Sequence, residues 1–437
     1  MKQEVYIEHT TYLNRINTIL LIILFIMIAG FFTWNESIVF TRVFKVITRV
    51  GMTACIYLVY KNILNRGAVD SFKLKNEFSI GLYASYLLLG LVSFCWSTNV
   101  GYSSLQWVMD LSSFVFAYFL IKAIFLLDEF YPDNPVRFYN LMGNVAFMLL
   151  FIFTVGMIVA PDIFFRLVEG GEDARLGGYI MNPNELGMYC GLGISCLIFD
   201  LYRKPNKWWT IFKILIMVIA LVMTKSRSSL VGLLLIVFFH IRNAKNVKLE
   251  ILTYVGVAAV LPIAVSKLIL RKGGIDDVLS MTGRMPFWKA LITEGLPKEP
   301  LFGFGFMRIA YGETFKSVHT YEAHMTHNTF MQVIMNLGLI GFAIVIFQMI
   351  FTVRGFLNEE NEKRLMLLGI LIPVVINSFT EFGIFGETNY GILFYQMLII
   401  YICIKFNPRL TPLEKKYILK KRPDFDFKFK TIIDKYS

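Results

Sequence analysis

Charged residues are scarce in this chain. Asp, Glu, Lys and Arg make up 17% of its 437 residues, whereas 56% are hydrophobic. A soluble domain has about 25% charged and 45–50% apolar residues, so the composition excludes a soluble protein and predicts a polytopic membrane protein. The net charge of +12 does not indicate nucleic-acid binding, because the positive residues lie in short connections and in the tail, where membrane topology explains them.

Other absences narrow the chemistry. The sequence has no glycine-rich phosphate loop, which argues against a cytosolic nucleotide-sugar enzyme. No internal repeat appears, although transporters often have matching halves. The cysteines have no CxxC spacing and all lie in apolar segments, so we expect small buried hydrophobes rather than disulfides or metal ligands. They are Cys55, Cys95, Cys190, Cys196 and Cys403.

Long apolar segments fill most of the chain. A spanning helix needs about 20 apolar residues, and about twelve segments approach that length. They lie near residues 16–33, 44–60, 79–96, 105–127, 141–160, 184–201, 209–224, 228–241, 249–269, 328–352, 365–380 and 390–406. The predicted fold is an all-α polytopic membrane protein, one integral membrane domain over residues 1–437. We expect a large extracytoplasmic loop, 270–326, between helices 9 and 10, and a basic cytoplasmic tail, 407–437.

The distribution of positive charge predicts the orientation. The short connections near 34–43, 97–104 and 381–389 contain a single Lys or Arg, Arg42, whereas the alternate connections and the tail are rich in both. Because cytoplasmic connections carry the excess of Lys and Arg, both termini are predicted to be cytoplasmic.

Three arginines are candidates for anion binding on the outer side. Arg227 lies between two apolar blocks, beside Ser226, and an arginine that faces lipid costs several kcal/mol. It is therefore either a side chain that reaches the membrane interface or an anion clamp. Arg175 and Arg284 are expected on the same side, as solvated charges or as further ligands. If the three converge, their planar guanidinium groups could bind a phosphate or pyrophosphate.

His327 is the candidate catalytic base. It is expected at the outer mouth of the tenth span, where a neutral imidazole could deprotonate an acceptor hydroxyl. Glu322 is a second candidate base. His319 and His324 could join His327 at a metal, but no carboxylate or cysteine completes an obvious ligand set, so no metal site is predicted. Three further carboxylates receive weaker interpretations: Asp110 as an intramembrane candidate, and Glu381 and Glu387 as charges at the rim of an outer connection.

Four segments resemble one family. The string His327-Asn328, nine residues, Gly338, two residues, Gly341 resembles the H[NSQ]-x9-G-x-x-G pattern of the bacterial O-antigen ligase and O-antigen polymerase superfamily. The string 224–230 resembles its S-R-[SG] helix junction, and Arg175 with Asn182-Pro183-Asn184 resembles an earlier segment. Residues 282–305 resemble its "G-R … H-P-L-x-G-x-G" loop, with Glu299 where histidine is common. The resemblance covers about residues 170–345.

The resemblance implies a metal-independent glycosyltransferase without a cofactor, in the bacterial cytoplasmic membrane. Its donor would be an oligosaccharide on undecaprenyl pyrophosphate at the outer face. By the resemblance, Arg175, Arg227 and Arg284 would bind the pyrophosphate, with Arg227 and Arg284 stabilising the leaving group, and His327 would activate the acceptor hydroxyl. The expected substrate-binding residues are Arg175, Asn182, Asn184, Ser226, Asn328 and Glu322.

Within the superfamily we expect a polymerase of capsule, exopolysaccharide or O-antigen. The alternatives are an O-antigen ligase, which transfers the glycan to lipid A core or another acceptor, and a transporter or flippase of lipid-linked glycan. Besides the lipid-linked oligosaccharide and membrane lipid, the expected partners are a chain-length regulator and a flippase, and no nucleic acid.

Overall fold

The computed structural model describes residues 2–66, 68, 70–130, 137–168, 173–201, 207–244, 248, 284–306, 309, 315, 326–381 and 383–407. The predicted span 249–269 lies outside these residues, as do most of the predicted loop 270–326 and all but the first residue of the predicted tail 407–437.

The apolar segments form helices, because a helix pairs nearly all of its backbone hydrogen-bonding groups within itself. The first half contains α1 (Lys2–Ala29), α2 (Ile38–Asn65), α3 (Glu77–Val92), α4 (Val100–Phe130), α5 (Phe138–Val159) and the short α6 (Pro161–Phe164). The second half contains α7 (Pro183–Leu201), α8 (Trp208–Thr224), α9 (Arg227–Asn243), α10 (Arg284–Ala290), α11 (Thr329–Leu357), α12 (Asn361–Thr380) and α13 (Tyr390–Cys403).

The described residues include 7 helices that are long and apolar enough to cross a membrane, namely α1 to α5, α11 and α12. Two shorter apolar helices, α8 and α13, accompany them. The chain is therefore a multi-pass helical membrane protein, as the sequence predicts. The count of about twelve spans and the position of the large loop stay predictions.

Two short pairs of strands correct the expectation of an all-α chain. β1 (Phe72–Leu74) pairs antiparallel with β4 (Ile404–Phe406), and β2 (Phe165–Val168) pairs antiparallel with β3 (Asp173–Leu176). In each pair, one strand directly follows the end of a helix: β2 follows α6, and β4 follows α13. In the predicted span 390–406 the helix thus ends at Cys403, and the last three residues satisfy their backbone groups by strand pairing.

One end of the helix bundle gathers connections that are far apart in sequence. The backbone N of Thr33 donates to the carbonyl of Ile180 at 2.9 Å, and the Tyr102 hydroxyl donates to Glu387 at 3.0 Å. We call this the site end; the β1–β4 pair lies at the opposite end. The short connections that were expected on the outer side all lie at the site end, namely 34–43, 97–104 and 381–389. Which end of the bundle faces outward stays a prediction.

Small residues let the helices pack closely around α7. A Cβ at Gly193 would lie 2.6 Å from Ala146 Cβ of α5, and one at Gly187 would lie 2.6 Å from Ser229 Oγ of α9. Close contact at small residues is typical of helices in membranes. Three of the cysteines are buried, as expected, whereas Cys95 is exposed and Cys55 is half-buried.

Candidate functional site

The connection between α8 and α9 is a tight turn at the site end. Lys225 ends α8 in the left-handed conformation, with φ of 50°, and Ser226 caps α9 by accepting from the backbone N of Ser229 at 3.4 Å. Capping oxygens satisfy the free N–H groups at a helix start. Arg227 is consequently the first residue of α9, where its side chain is half-buried.

Arg175 joins three elements beside this turn. Its Nε donates to the carbonyl of Thr224 at 2.9 Å, and its Nη2 donates to Asn184 Oδ1 at 2.7 Å. Asn182 Oδ1 in turn accepts from the backbone N of Asn184 at 2.9 Å and shapes the start of α7. The Asn182-Pro183-Asn184 segment and the arginine therefore form one unit, which the sequence could suggest only by resemblance.

Glu381 is the centre of the site. Its Oε1 accepts from Asn184 Nδ2 at 2.9 Å and from Arg284 Nη2 at 3.1 Å, while its Oε2 lies 2.7 Å from His327 Nδ1. The residue is 3% exposed. The interpretation of Glu381 as only a rim charge of an outer connection is therefore wrong, since the structure buries it among three partners from three different segments.

The charge of Glu381 is stabilised despite this burial. Burial by itself would raise the pKa of the Glu381 carboxyl. The hydrogen bond and charge of His327, the charge of Arg284 and the Asn184 amide together outweigh burial and lower that pKa. The site consequently holds an ionised carboxylate that can orient the imidazole.

Arg284 opens α10 and binds the end of α12. Its Nη1 donates to the carbonyl of Thr380, and its Nη2 donates to Glu381. Its Nε is buried and has no hydrogen-bond partner among the described residues. A buried N–H without a partner is costly, so this edge of the guanidinium is suited to an additional acceptor such as a phosphate oxygen.

His327 has an unusual backbone conformation. Its φ is 51°, a value that few residues other than glycine adopt. The next residue, Asn328, caps α11 by accepting from the backbone N of Phe330 and of Met331 at 2.9 and 3.1 Å. The cap and the Glu381 contact at Nδ1 together fix the ring, and Nε2 remains as the second nitrogen that can exchange a proton.

The glycines of the family pattern have a steric role in α11. Gly338 interrupts the helix with φ of 64°, and a Cβ there would lie 2.3 Å from the carbonyl of Leu301. The glycine-rich turn, residues 300–305, packs into this kink: the backbone N of Gly305 donates to the carbonyl of Asn336 at 2.9 Å. The turn is therefore held against α11, the helix that begins just after His327.

The structure thus brings most of the predicted residues together. One hydrogen-bonded network through Glu381 contains Arg175, Asn182, Asn184, Arg284 and His327. Ser226 and Arg227 lie in the turn just after Thr224, whose carbonyl accepts from Arg175. Ser226 and Asn328 use their side-chain oxygens as helix caps, and both are buried. Glu322, His319 and His324 lie outside the described residues, within which no group of three or more His, Cys, Asp or Glu residues could hold a metal.

Comparison with known proteins addresses the same segments. Residues 212–346 match the family model described as O-antigen ligase. The match confirms the resemblance to the O-antigen ligase and polymerase superfamily and supports glycan transfer in a membrane. It contains Arg227, Arg284 and His327, whereas Arg175, Asn184 and Glu381 lie outside it and reach the site through the fold. No curated protein matches the chain.

Proposed function

We propose that this chain is a membrane glycosyltransferase that polymerises undecaprenyl-pyrophosphate-linked repeat units on the outer face of the cytoplasmic membrane. The observation that carries the proposal is the convergence of His327 and Arg284 on the buried carboxylate of Glu381, to which Arg175 is joined through Asn184. A base, an orienting carboxylate and guanidinium groups are the parts that transfer from a pyrophosphate donor requires.

In the proposed reaction, an acceptor hydroxyl oxygen attacks the anomeric carbon of the donor glycan. The new glycosidic bond forms as the bond between that carbon and the pyrophosphate oxygen breaks. His327 Nε2 takes the hydroxyl proton while Glu381 holds Nδ1, and the leaving undecaprenyl pyrophosphate keeps the electron pair. Arg284, through its unpartnered edge, and Arg227 and Arg175 stabilise its negative charge.

A ligase is the second candidate, since the description of the matched family names that activity and the match does not distinguish the two. The two functions share the donor and differ in the acceptor, which is another lipid-linked repeat unit for a polymerase and lipid A core or another molecule for a ligase. A transporter or flippase remains the alternative of a different class, but transporters typically place charged residues near the bilayer midplane. Here the polar network lies at one end of the bundle.

Complementation of a deletion strain tests the proposal. Wild type, His327→Asn, His327→Ala and Arg284→Lys are compared, with surface glycan separated by size. Asparagine tolerates a positive φ, so the His327→Asn variant separates loss of the base from backbone strain. Arg284→Lys keeps the charge but loses the fork, and we expect activity to fall by at least about tenfold. Arg364→Lys, near the opposite end of the bundle, is the matched control.

The products distinguish the candidates. Loss of long chains, with a single repeat unit still transferred to its final acceptor, supports a polymerase. Polymer that accumulates on the lipid carrier supports a ligase instead. A normal ladder from both His327 variants at wild-type protein level would show that the histidine is structural and would refute the proposed mechanism.

A further inference from the structure

A second polar cavity lies at the site end, outside the Glu381 network. It has a volume of about 530 Å³ and lies between the start of α2, the start of α4 and the connection before α13. The cations that line it are Arg42, Lys45 and Arg49. Their spacing of three and four residues places them on one face of α2, so one wall of the cavity is positively charged.

Local contacts hold two of these cations in place. Lys45 Nζ donates to Thr33 Oγ1 at 3.1 Å. The guanidinium of Arg49 lies 4.0 Å from the centre of the Phe31 ring, and its side chain is 5% exposed. Among the residues that the structure describes, none of the three cations forms an ion pair with a carboxylate. Glu387 and other carboxylates act on Lys45 and Arg49 only from a distance, so this positive wall is suited to an anionic ligand.

The opposite wall carries polar and acidic groups beside Leu105 and Met109 of α4. These groups belong to Asn99, Tyr102, Gln106 and Glu387, and the exposed Glu36 stands at the rim. The Tyr102 hydroxyl donates to Glu387, while Gln106 Oε1 accepts from the backbone N of Thr388 at 3.0 Å. Amide, phenol and carboxylate groups are the usual partners of sugar hydroxyls because they offer both donors and acceptors. The cavity is therefore polarised, with cations on one side and hydroxyl-binding groups on the other.

The helix that supplies the cations also offers an apolar path. Val39, Val43, Ile47 and Val50 are exposed and recur at helical spacing on the face of α2 adjacent to the cations. An amphiphile could therefore place its phosphate in the cavity and lay its hydrocarbon chain along this face in the bilayer.

Two segments of the chain connect the cavity to the candidate site. The connection 381–389 carries Glu381 at one end and Glu387 near the other, and the backbone bond from Thr33 to Ile180 ties the cavity to the segment before Asn182. Glu185, at the start of α7, interacts electrostatically with both Lys45 and Glu381. A molecule in the cavity would consequently lie next to the donor site.

From this arrangement we infer that the cavity between α2 and α4 binds the phosphate and first sugar of a second lipid-linked glycan, the acceptor. The inference rests on the proposed function, since a polymerase needs two lipid-linked substrates at once. The acceptor's lipid would lie along α2, and its terminal hydroxyl would extend toward His327.

Binding stoichiometry tests the inference. The probe is a radiolabelled prenyl pyrophosphate disaccharide added to the full-length protein in detergent micelles. We expect two molecules per chain for wild type and one for Arg42→Gln/Lys45→Gln, with affinity at the altered site reduced roughly 10- to 100-fold by the loss of charge-assisted contacts. Lys61→Gln, at the opposite end of α2, is the matched control, and thermal unfolding of each variant confirms that it is folded.

The outcomes separate the two proposals. Two molecules bound by Arg42→Gln/Lys45→Gln would overturn the cavity inference. If, in addition, Arg284→Lys binds only one molecule, the proposed donor site is supported. Binding that Arg42→Gln/Lys45→Gln reduces but Arg284→Lys does not would support the cavity and refute the donor site. No binding at all would overturn both. Displacement of the cavity-bound probe by phosphatidylglycerol at equal concentration would identify a phospholipid site and overturn the acceptor assignment.

Discussion

Replacing Glu381 with glutamine tests the centre of the site. Glutamine can still accept from Asn184 and Arg284 at its oxygen, but its amide nitrogen would then face His327 Nδ1. Two donors cannot share that hydrogen bond. The imidazole must therefore leave, or adopt the tautomer in which Nδ1 accepts and Nε2 carries the proton, and in that tautomer Nε2 cannot serve as a base.

The expected loss of rate is large. General base catalysis contributes roughly 10² to 10⁴ in rate, and an amide in place of an orienting carboxylate removes most of that contribution. Stability should fall as well, because the charge-assisted bonds to Arg284 and His327 become neutral or are lost. At about 1–2 kcal/mol for each, the free energy of unfolding should decrease by about 2–4 kcal/mol.

The assay is single-turnover transfer from a purified lipid-pyrophosphate donor, together with donor binding and thermal unfolding. Glu360→Gln is the control, since Glu360 lies at the other end of the same helix and is exposed. We expect the transfer rate of Glu381→Gln to fall at least about 10²-fold while donor binding changes far less. A Glu381→Gln variant that retains more than half of the wild-type rate would refute the role of the carboxylate in orienting His327.

Three further predictions follow from the geometry. Gly338→Ala should abolish activity and lower the unfolding temperature, because its Cβ would overlap the Leu301 carbonyl at a position with positive φ. Gly81→Ala, with open space around it, should be neutral. Equal unfolding temperatures of the two variants would contradict the close packing of the glycine-rich turn against α11. The lowered pKa of Glu381 means that its ionisation stabilises the fold above its ordinary pKa of about 4.5, and that this stability is lost as the pH falls through the lower folded value; unfolding followed against pH should show this loss in wild type and not in Glu381→Gln. In a Cys95→Ser background, a cysteine at Thr98 should react with an impermeant thiol reagent on intact cells and one at Glu360 only after permeabilisation; the reverse pattern would invert the topology.

The helices were the most predictable part of the fold. Their apolar runs are long and continuous, so nearly every predicted span in the described residues is a helix. The strand pairs were missed because three- and four-residue strands give no periodicity, and their pairing joins residues as distant as Phe72 and Phe406.

The site was predictable to the extent that its residues belong to recognisable motifs. His327, Arg227 and Arg284 lie in such motifs, but Glu381 does not. Its partners His327, Arg284 and Asn184 are 54, 97 and 197 residues away in sequence, so its burial depends on tertiary structure. The available signal was a carboxylate directly after a long apolar helix, where burial of a charge in or near a membrane points to function.

The contacts of α11 have a consequence for how this chain could vary. The backbone N of Phe304 donates to the carbonyl of Met335 at 2.8 Å, and the backbone N of Thr326 donates to Gln332 Oε1 at 3.2 Å. Phe304 and Thr326 are thus both held against the first turns of this helix, and the buried side chains of Ile309 and Phe315 pack in one cluster with Met331 and Met335. A change of side-chain volume at Met331 or Met335 should therefore be tolerated only together with a compensating change at Ile309 or Phe315.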